Sequence, residues 1–109
     1  MKKAVTPSEA IHFEQIPNIG PRLSAELRRI GFTKPAELRG RDPYAMYGDL
    51  CQATRTTVDP CVIDAFISAT RFMHGEPVRP WWAYTAERKA TLAKPTARAP
   101  KPKKSGRNR

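Results

Sequence analysis

Two prolines near the start of the chain enclose an Asn-Ile-Gly step in the segment Ile16–Pro21. Pro17 cannot continue a helix because its nitrogen carries no hydrogen, and Gly20 gives the backbone unhindered freedom. Pro21 suits the first position of a new helix, where a missing N–H group is tolerated. The segment therefore predicts a tight turn that separates one helical piece from the next.

The residues after this turn carry a clear helical pattern. Leu23, Leu27 and Ile30 recur at i, i+4 and i+7, which places them on one face of a helix. Gly31 follows the last of them and is a typical C-terminal stop. The sequence predicts a helix that begins at Pro21 and ends before Gly31.

Further helices are expected on both sides. A short helix ending near Glu14 precedes the turn, another covers residues 35–39, and Asp-Pro pairs at residues 42–43 and 59–60 start two more, since aspartate caps a helix that proline opens. No segment alternates apolar and polar residues over more than a few positions, so the predicted fold class is all-α, a compact bundle of about five short helices. The positions expected to face the core are Tyr44, Tyr47, Leu50 and Cys51 on one helix and Val62, Ala65, Phe66, Ala69, Phe72 and Met73 on the next.

Charge is distributed unevenly along the chain. Residues 86–109 contain nine Lys or Arg against one acid, which supplies +8 of the net charge of +10, whereas the remainder is close to balanced. The end of the chain is composed of Lys, Arg, Pro, Ala, Ser and Gly and cannot build a core. We therefore expect a frayed leader over residues 1–7, a helical domain over 8–85 and a basic disordered tail over 86–109.

Composition disfavours several function classes. No apolar run is long enough to cross a membrane or to serve as a signal-peptide core, which favours a cytoplasmic protein. Cys51 and Cys61 are too few for a disulfide framework, have no recognised ligand spacing with His74, and are interpreted as reduced core residues. His12 and His74 belong to no catalytic triad, zinc-protease or phosphate-loop pattern. We expect no enzymatic activity, no metal and no cofactor.

The turn is the main candidate for a binding site. The first amides of a helix have no intrahelical acceptors, so N–H groups of Ile19, Gly20, Arg22 and Leu23 can bind an anion at the positive end of the helix dipole. Pro21 cannot donate, and the Arg22 side chain adds a positive charge beside them. The alternative interpretation is a purely structural turn that joins two core helices.

The segment over residues 16–31 resembles the helix-hairpin-helix signature, in which a hydrophobic-Pro-x-hydrophobic-Gly turn precedes a helix with small and apolar residues at fixed spacings. Many proteins with that signature bind the backbone of DNA or RNA without reading sequence, some with a monovalent cation on carbonyl groups of the turn. The resemblance implies phosphate contacts at Ile19, Gly20 and Arg22. It also implies that the carbonyls of Ile16 and Ile19 face any cation.

The sequence departs from that signature in two ways. Many DNA-binding examples have glycine where this chain has Asn18, whose side chain narrows access to a phosphate. Most also use two hairpins, and aligning residues 58–60 with residues 19–21 puts Asp59 where Gly20 stands. Because a carboxylate there repels a phosphate, a second hairpin would serve packing only.

A longer resemblance covers about residues 10–84 and concerns a small bacterial family labelled pathogenicity-locus or helix-hairpin-helix domain protein. Some of its members carry a mitomycin-resistance label, and the C-terminal domain of a competence regulator is similar over the first half. The resemblance implies the helical fold. It is carried by I-P-N-I-G at residues 16–20, I-G-F at 30–32, K-P-A-E-L at 34–38, R-D-P-Y-x-M-Y-x-x-L-C at 41–51, V-D-P-C-V-I-D-A-F at 58–66 and P-W-W at 80–82.

The predicted function is sequence-independent nucleic-acid binding, with one phosphate at the turn and the tail following the backbone electrostatically. Full engagement of the nine tail charges would give a slope of log affinity against log salt of about −8. Trp81 and Trp82 are expected to close the core, with stacking on bases as the alternative. The competing hypothesis is a protein-interaction adaptor that docks a partner through the helical surface. Beyond the turn, the predicted nucleic-acid contacts are Arg29, Lys101, Lys103 and Lys104.

Overall fold

The computed structural model describes residues 2–93, which form four α-helices joined by loops and 3-10 turns. The predicted all-α class is confirmed, since no β-strand occurs within these residues. No helix in the described part is long and apolar enough to cross a membrane. The helices are α1 (Pro21–Arg29), α2 (Pro43–Thr54), α3 (Cys61–Met73) and α4 (Thr85–Ala93), and the 3-10 turns are Pro7–Glu9, Phe13–Gln15, Pro35–Leu38 and Trp81–Tyr84.

Two helices begin where Asp-Pro pairs predict them to begin. The Asp42 carboxylate accepts a hydrogen bond from the Tyr44 amide at 2.9 Å at the start of α2. The Asp59 carboxylate accepts one from the Cys61 amide, also at 2.9 Å, at the start of α3. Each aspartate thereby satisfies an amide that has no acceptor within its own helix.

The helix expected before Glu14 is instead a pair of 3-10 turns. Each turn begins with a capping box, in which the side chain of its last residue reaches back to amides that precede the turn. Glu9 accepts from the Val5 amide at 2.7 Å, and Gln15 accepts from the amides of Ile11 and His12, both at 2.9 Å. The prediction of one helix was wrong because the chain has two separate helical starts, after Thr6 and after His12, with extended backbone at Ala10 and His12 between the turns.

Helix α3 lies at the centre of the molecule. The predicted inward positions of α3 are buried, apart from Val62, which is half-buried. On α2, Leu50 is buried as predicted, and Met46 joins it although the sequence pattern did not single it out. Cys61 is exposed, so its assignment to the core was wrong. The buried residues of α3 are Ile63–Thr70, Phe72 and Met73.

The helical part continues past the predicted boundary at residue 85, because α4 extends to Ala93. Arg88 points inward and donates to the fully buried carboxylate of Asp64, with Nε to Oδ1 at 2.8 Å. The Thr85 hydroxyl donates to the other oxygen of Asp64 at 2.7 Å. Arg88, which was predicted to belong to a disordered tail, therefore holds α4 against α3. The rest of the predicted tail, residues 94–109, lies outside the described residues.

Candidate nucleic-acid interface

The residues from Ile16 to Gly20, here called the 16–20 turn, are held in place by their own apolar side chains. Ile16 and Ile19 are fully buried, and Pro17 between them is buried as well. Full burial of an aliphatic side chain stabilises a fold by about 1.5–3 kcal/mol. The turn is therefore anchored in the core, and only its last residues reach the surface.

Asn18 connects the turn to two distant parts of the chain. Its backbone adopts a left-handed conformation with φ of 72°, which asparagine tolerates better than most residues. Its side-chain amide donates to the Ser68 hydroxyl on α3 at 2.8 Å and to the Arg79 carbonyl at 2.7 Å. The amide group that was expected to narrow access to a phosphate is thus engaged with the protein itself.

Lys3 occupies the carbonyl groups of the turn. Its ammonium donates to the carbonyls of Glu14 at 2.7 Å, Ile19 at 2.8 Å and Ile16 at 3.3 Å. Burial lowers the pKa of Lys3, and the Glu14 carboxylate partly opposes this shift. Two of these carbonyls are the ones that the resemblance assigned to a monovalent cation. Here the chain's own ammonium lies against them, a contact that the sequence pattern does not predict.

The amides of the turn divide into engaged and available donors. The Ile19 N–H donates to the Ile16 carbonyl at 3.1 Å, so it is committed to the turn and is not available to a phosphate. The N–H groups of Gly20, Arg22 and Leu23 have no hydrogen-bond acceptor within residues 2–93. The predicted set of donors is therefore reduced by Ile19, and three remain at the start of α1.

Gly20 leaves these three donors open to approach. A Cβ atom built at this position would meet no heavy atom within 4 Å, and the backbone φ of −99° suits any residue. Neither the backbone nor the packing therefore requires glycine here. The position that a Gly20 side chain would occupy is open, and Arg22, two residues later, is exposed.

An acidic group lies close enough to influence this site. The Asp59 pKa is lowered, first by the hydrogen bond from the Cys61 amide and further by the positive charges of Arg88 and Arg22. Arg22, two residues after Gly20, is thus one of the charges that act on Asp59 at the start of α3. At the start of α3 the Cys61 amide already donates to the Asp59 carboxylate and is not available to a phosphate. Of these two helices, only α1 therefore has available amide donors at its start.

The other predicted contact residues do not gather at this point. Arg29 is the last residue of α1 and pairs with Glu26 at 3.3 Å. It stands seven residues from Arg22, so about 10 Å of helix separates the two backbones. Lys101, Lys103 and Lys104 lie outside the described residues.

Trp81 and Trp82 are not part of the core, contrary to the prediction. Their side chains are 38% and 63% exposed, respectively, whereas Tyr84 in the same 3-10 turn is buried. In a 3-10 turn of three residues per repeat, positions i and i+3 share a side, so Trp81 lies on the side of the buried Tyr84 and Trp82 points away from it, which agrees with the greater exposure of Trp82. Hydrophobicity alone does not predict which of three aromatic residues in four consecutive positions will be buried.

The described residues contain no group of three His, Cys, Asp or Glu side chains that could hold a metal ion. Cys51 is half-buried and Cys61 exposed, and neither forms a disulfide.

Comparison with known proteins gives the family of the chain. The model of a family described as Cdd1, pathogenicity locus, matches residues 6–90. A protein named mitomycin resistance protein McrB, from Streptomyces lavendulae, is 39% identical over 89 residues, which cover 82% of this chain and 85% of that protein. No solved structure matches. The match includes the start of α4 and nearly all of the described fold, and the chain belongs to the Cdd1 pathogenicity-locus family.

Proposed function

We propose that this protein binds the sugar-phosphate backbone of nucleic acid without reading its sequence and catalyses no reaction. The observation that carries the proposal is the trio of amides at Gly20, Arg22 and Leu23, which have no acceptor in the described part of the chain. A phosphate oxygen placed before Gly20 accepts from these donors. The 16–20 turn and α1 then act as a helix-hairpin-helix element.

The electrostatics of α1 favour a negative ligand at this end. Unsatisfied amides and the helix dipole together give the N-terminus of a helix a partial positive charge that attracts phosphate. The Arg22 guanidinium adds a full charge, and an arginine-phosphate contact is charge-assisted. Because Ile16 and Ile19 anchor the turn, the donors are in position before the ligand arrives, which lowers the entropic cost of binding.

The end of the chain supplies further attraction in this proposal. Residues 94–109 contain seven Lys or Arg and no acid. Neutralising one phosphate with each of them would contribute about −6 to the slope of log affinity against log salt on duplex DNA. The slope of about −8 expected from all nine basic residues also included Arg88 and Lys89. These two residues belong to α4, and Arg88 is buried against Asp64. We also propose that the protein is cytoplasmic and that its first half is similar to the C-terminal domain of a competence regulator.

Replacing Gly20 by valine tests the turn directly. An added Cβ atom would meet nothing in the protein, and in this proposal the side chain would occupy the open space in which a phosphate approaches the Gly20 amide. We expect Gly20→Val to weaken binding of the full chain to a short oligonucleotide by about tenfold or more, the effect of losing one or two charge-assisted hydrogen bonds.

Gly48→Val is the matched control. Gly48 lies on α2, is exposed, and likewise has no heavy atom within 4 Å of an added Cβ. Circular dichroism should show both variants folded. Equal affinities of the two variants would contradict a phosphate site at the turn and leave only the basic end of the chain as a binding element.

A further inference from the structure

We propose that Trp81 and Trp82 form a stacking platform for the unpaired bases of a single strand whose phosphate lies at the 16–20 turn. This inference rests on the proposed function and names the form of nucleic acid that the site accepts. It differs from simple backbone binding, because stacking requires bases that are not already paired in a duplex.

The tryptophans are held at the surface by a fixed support. Tyr84 is buried and lies under the Arg71 guanidinium, which is 5.5 Å from its ring centroid. The Ala83 amide donates to the Pro80 carbonyl at 3.0 Å and closes the 3-10 turn. Trp82 is therefore exposed over 63% of its surface because the turn directs it outward. Its ring is available without rearrangement of the fold.

The platform adjoins the turn that carries the available amides. The Asn18 side chain, two residues before Gly20, donates to the Arg79 carbonyl at 2.7 Å. From Arg79 to Trp82 the chain can span at most about 11 Å. A strand with one phosphate at Gly20 therefore reaches the tryptophans within a few nucleotides.

The chemistry of the surface favours a nucleic-acid strand over an apolar protein segment. The two indole rings are arranged edge to face, with centroids 5.7 Å apart and an angle of 84° between their planes. Arg79, two residues before Trp81, and Arg22, two residues after Gly20, are both exposed and supply positive charge next in sequence to the platform and to the turn. Flat aromatic faces beside cationic groups match a ligand that alternates flat bases with phosphates, and stacking on aromatic residues is tolerant of sequence.

Intrinsic fluorescence can test this inference, because Trp81 and Trp82 are the only tryptophans of the chain. The full chain is titrated with a single-stranded oligonucleotide and with an abasic strand of the same length. We expect the base-containing strand to quench the emission and to bind more tightly, whereas the abasic strand binds through phosphates with little quenching. Stacking of one base predicts that Trp82→Ala weakens binding about 5- to 150-fold, and that Trp82→Phe restores most of the affinity.

Leu92→Ala is the control, because Leu92 is also an exposed apolar residue, at 53%, and lies on α4. Equal affinities of Trp82→Ala and Leu92→Ala for the base-containing strand would overturn the platform and leave the backbone site standing. Equal binding of the base-containing and the abasic strand would also overturn the platform. Trp81 and Trp82 would then serve another kind of partner, such as a protein. Failure of the full chain to bind either strand at low salt would instead contradict the proposed function.

Discussion

The ammonium of Lys3 lies 2.8 Å from the carbonyl oxygen of Ile19, sixteen residues along the chain. The same group also donates to the carbonyls of Glu14 and Ile16, so its three hydrogen-bond donors are matched by three acceptors, two of which belong to the 16–20 turn. Lys3 therefore connects the N-terminal segment to the carbonyl groups of the 16–20 turn. Gly20 ends this turn, and Arg22 and Leu23 follow it directly. The positions of their amides therefore depend on the turn.

Lys3→Gln should destabilise the protein by about 1–2 kcal/mol, because it removes charge-assisted hydrogen bonds to carbonyls that are partly buried. Lys2→Gln removes the same charge from the neighbouring residue, for which no hydrogen bond is found within residues 2–93, and should change stability by less than about 0.5 kcal/mol. Chemical denaturation of the two variants measures the difference.

Lys3→Gln should also make stability sensitive to the monovalent cation present. The vacated carbonyls of Ile16 and Ile19 become available to potassium or sodium, whereas the unaltered chain satisfies them itself. Melting temperatures in potassium, sodium and choline chloride at equal ionic strength measure this. Equal stability losses in the Lys2 and Lys3 variants would contradict the structural role of Lys3.

Two truncated chains should distinguish the contribution of α4 to stability from that of the basic residues after it. A chain ending at residue 93 retains α4 and should keep the melting temperature of the full protein. A chain ending at residue 85 loses Arg88 and leaves the fully buried Asp64 carboxylate without its cation, so it should be strongly destabilised. Thermal denaturation followed by circular dichroism measures both. Equal melting temperatures would show that α4 adds nothing to the fold.

Arg88→Met isolates the ion pair from the rest of α4. Breaking a buried pair by removing one partner costs about 3–5 kcal/mol, because the remaining charge is left uncompensated. Lys89→Met is the matched control, since Lys89 is the next residue and is exposed. A loss of similar size in both variants would assign the effect to helix α4 as a whole and contradict a specific role of Arg88.

Asp59→Asn should strengthen binding of an anion at the start of α1. Removing the carboxylate relieves repulsion, and asparagine still caps the start of α3, so the expected gain in affinity is about two- to fivefold, with a small loss of stability because the ionised carboxylate is favoured in the folded state. The folded-state pKa of Asp59 is lowered, which means that the carboxylate stays ionised as the pH falls from 7 to 5. Affinity of the unaltered chain should therefore show no gain from Asp59 protonation over that interval.

Fluorescence anisotropy with a labelled oligonucleotide measures both effects. A weaker Asp59→Asn variant would show that the carboxylate helps to position Arg22, which is the opposite of the repulsion expected here.

Local chemistry in the sequence was sufficient to predict the turn and the starts of α1, α2 and α3. Proline and aspartate act on their immediate neighbours, which is why α2 begins at Pro43 with Asp42 as its cap. The pairing of Arg88 with Asp64 joins residues 24 positions apart and was missed, since composition alone marks a run of basic residues as solvated. The contacts of Lys3 are equally remote in sequence.

The exposed tryptophans illustrate the same limit. Hydrophobicity predicts burial, but the space beside α3 accommodates Tyr84 and leaves Trp82 outside. Within the candidate site, the sequence correctly located the start of α1. It could not show that the Ile19 amide bonds to Ile16, because that depends on the closure of the turn.

Amide chemical shifts of the nitrogen-15-labelled full chain, titrated with a short single-stranded oligonucleotide at low salt, test the proposal most directly. Gly20, Arg22 and Leu23 should show large saturable shifts that shrink as salt is added. The amides of Tyr44 and Cys61, which are already bonded to Asp42 and Asp59, should move little. If the first three amides stay in place while the oligonucleotide saturates the protein, the start of α1 holds no phosphate.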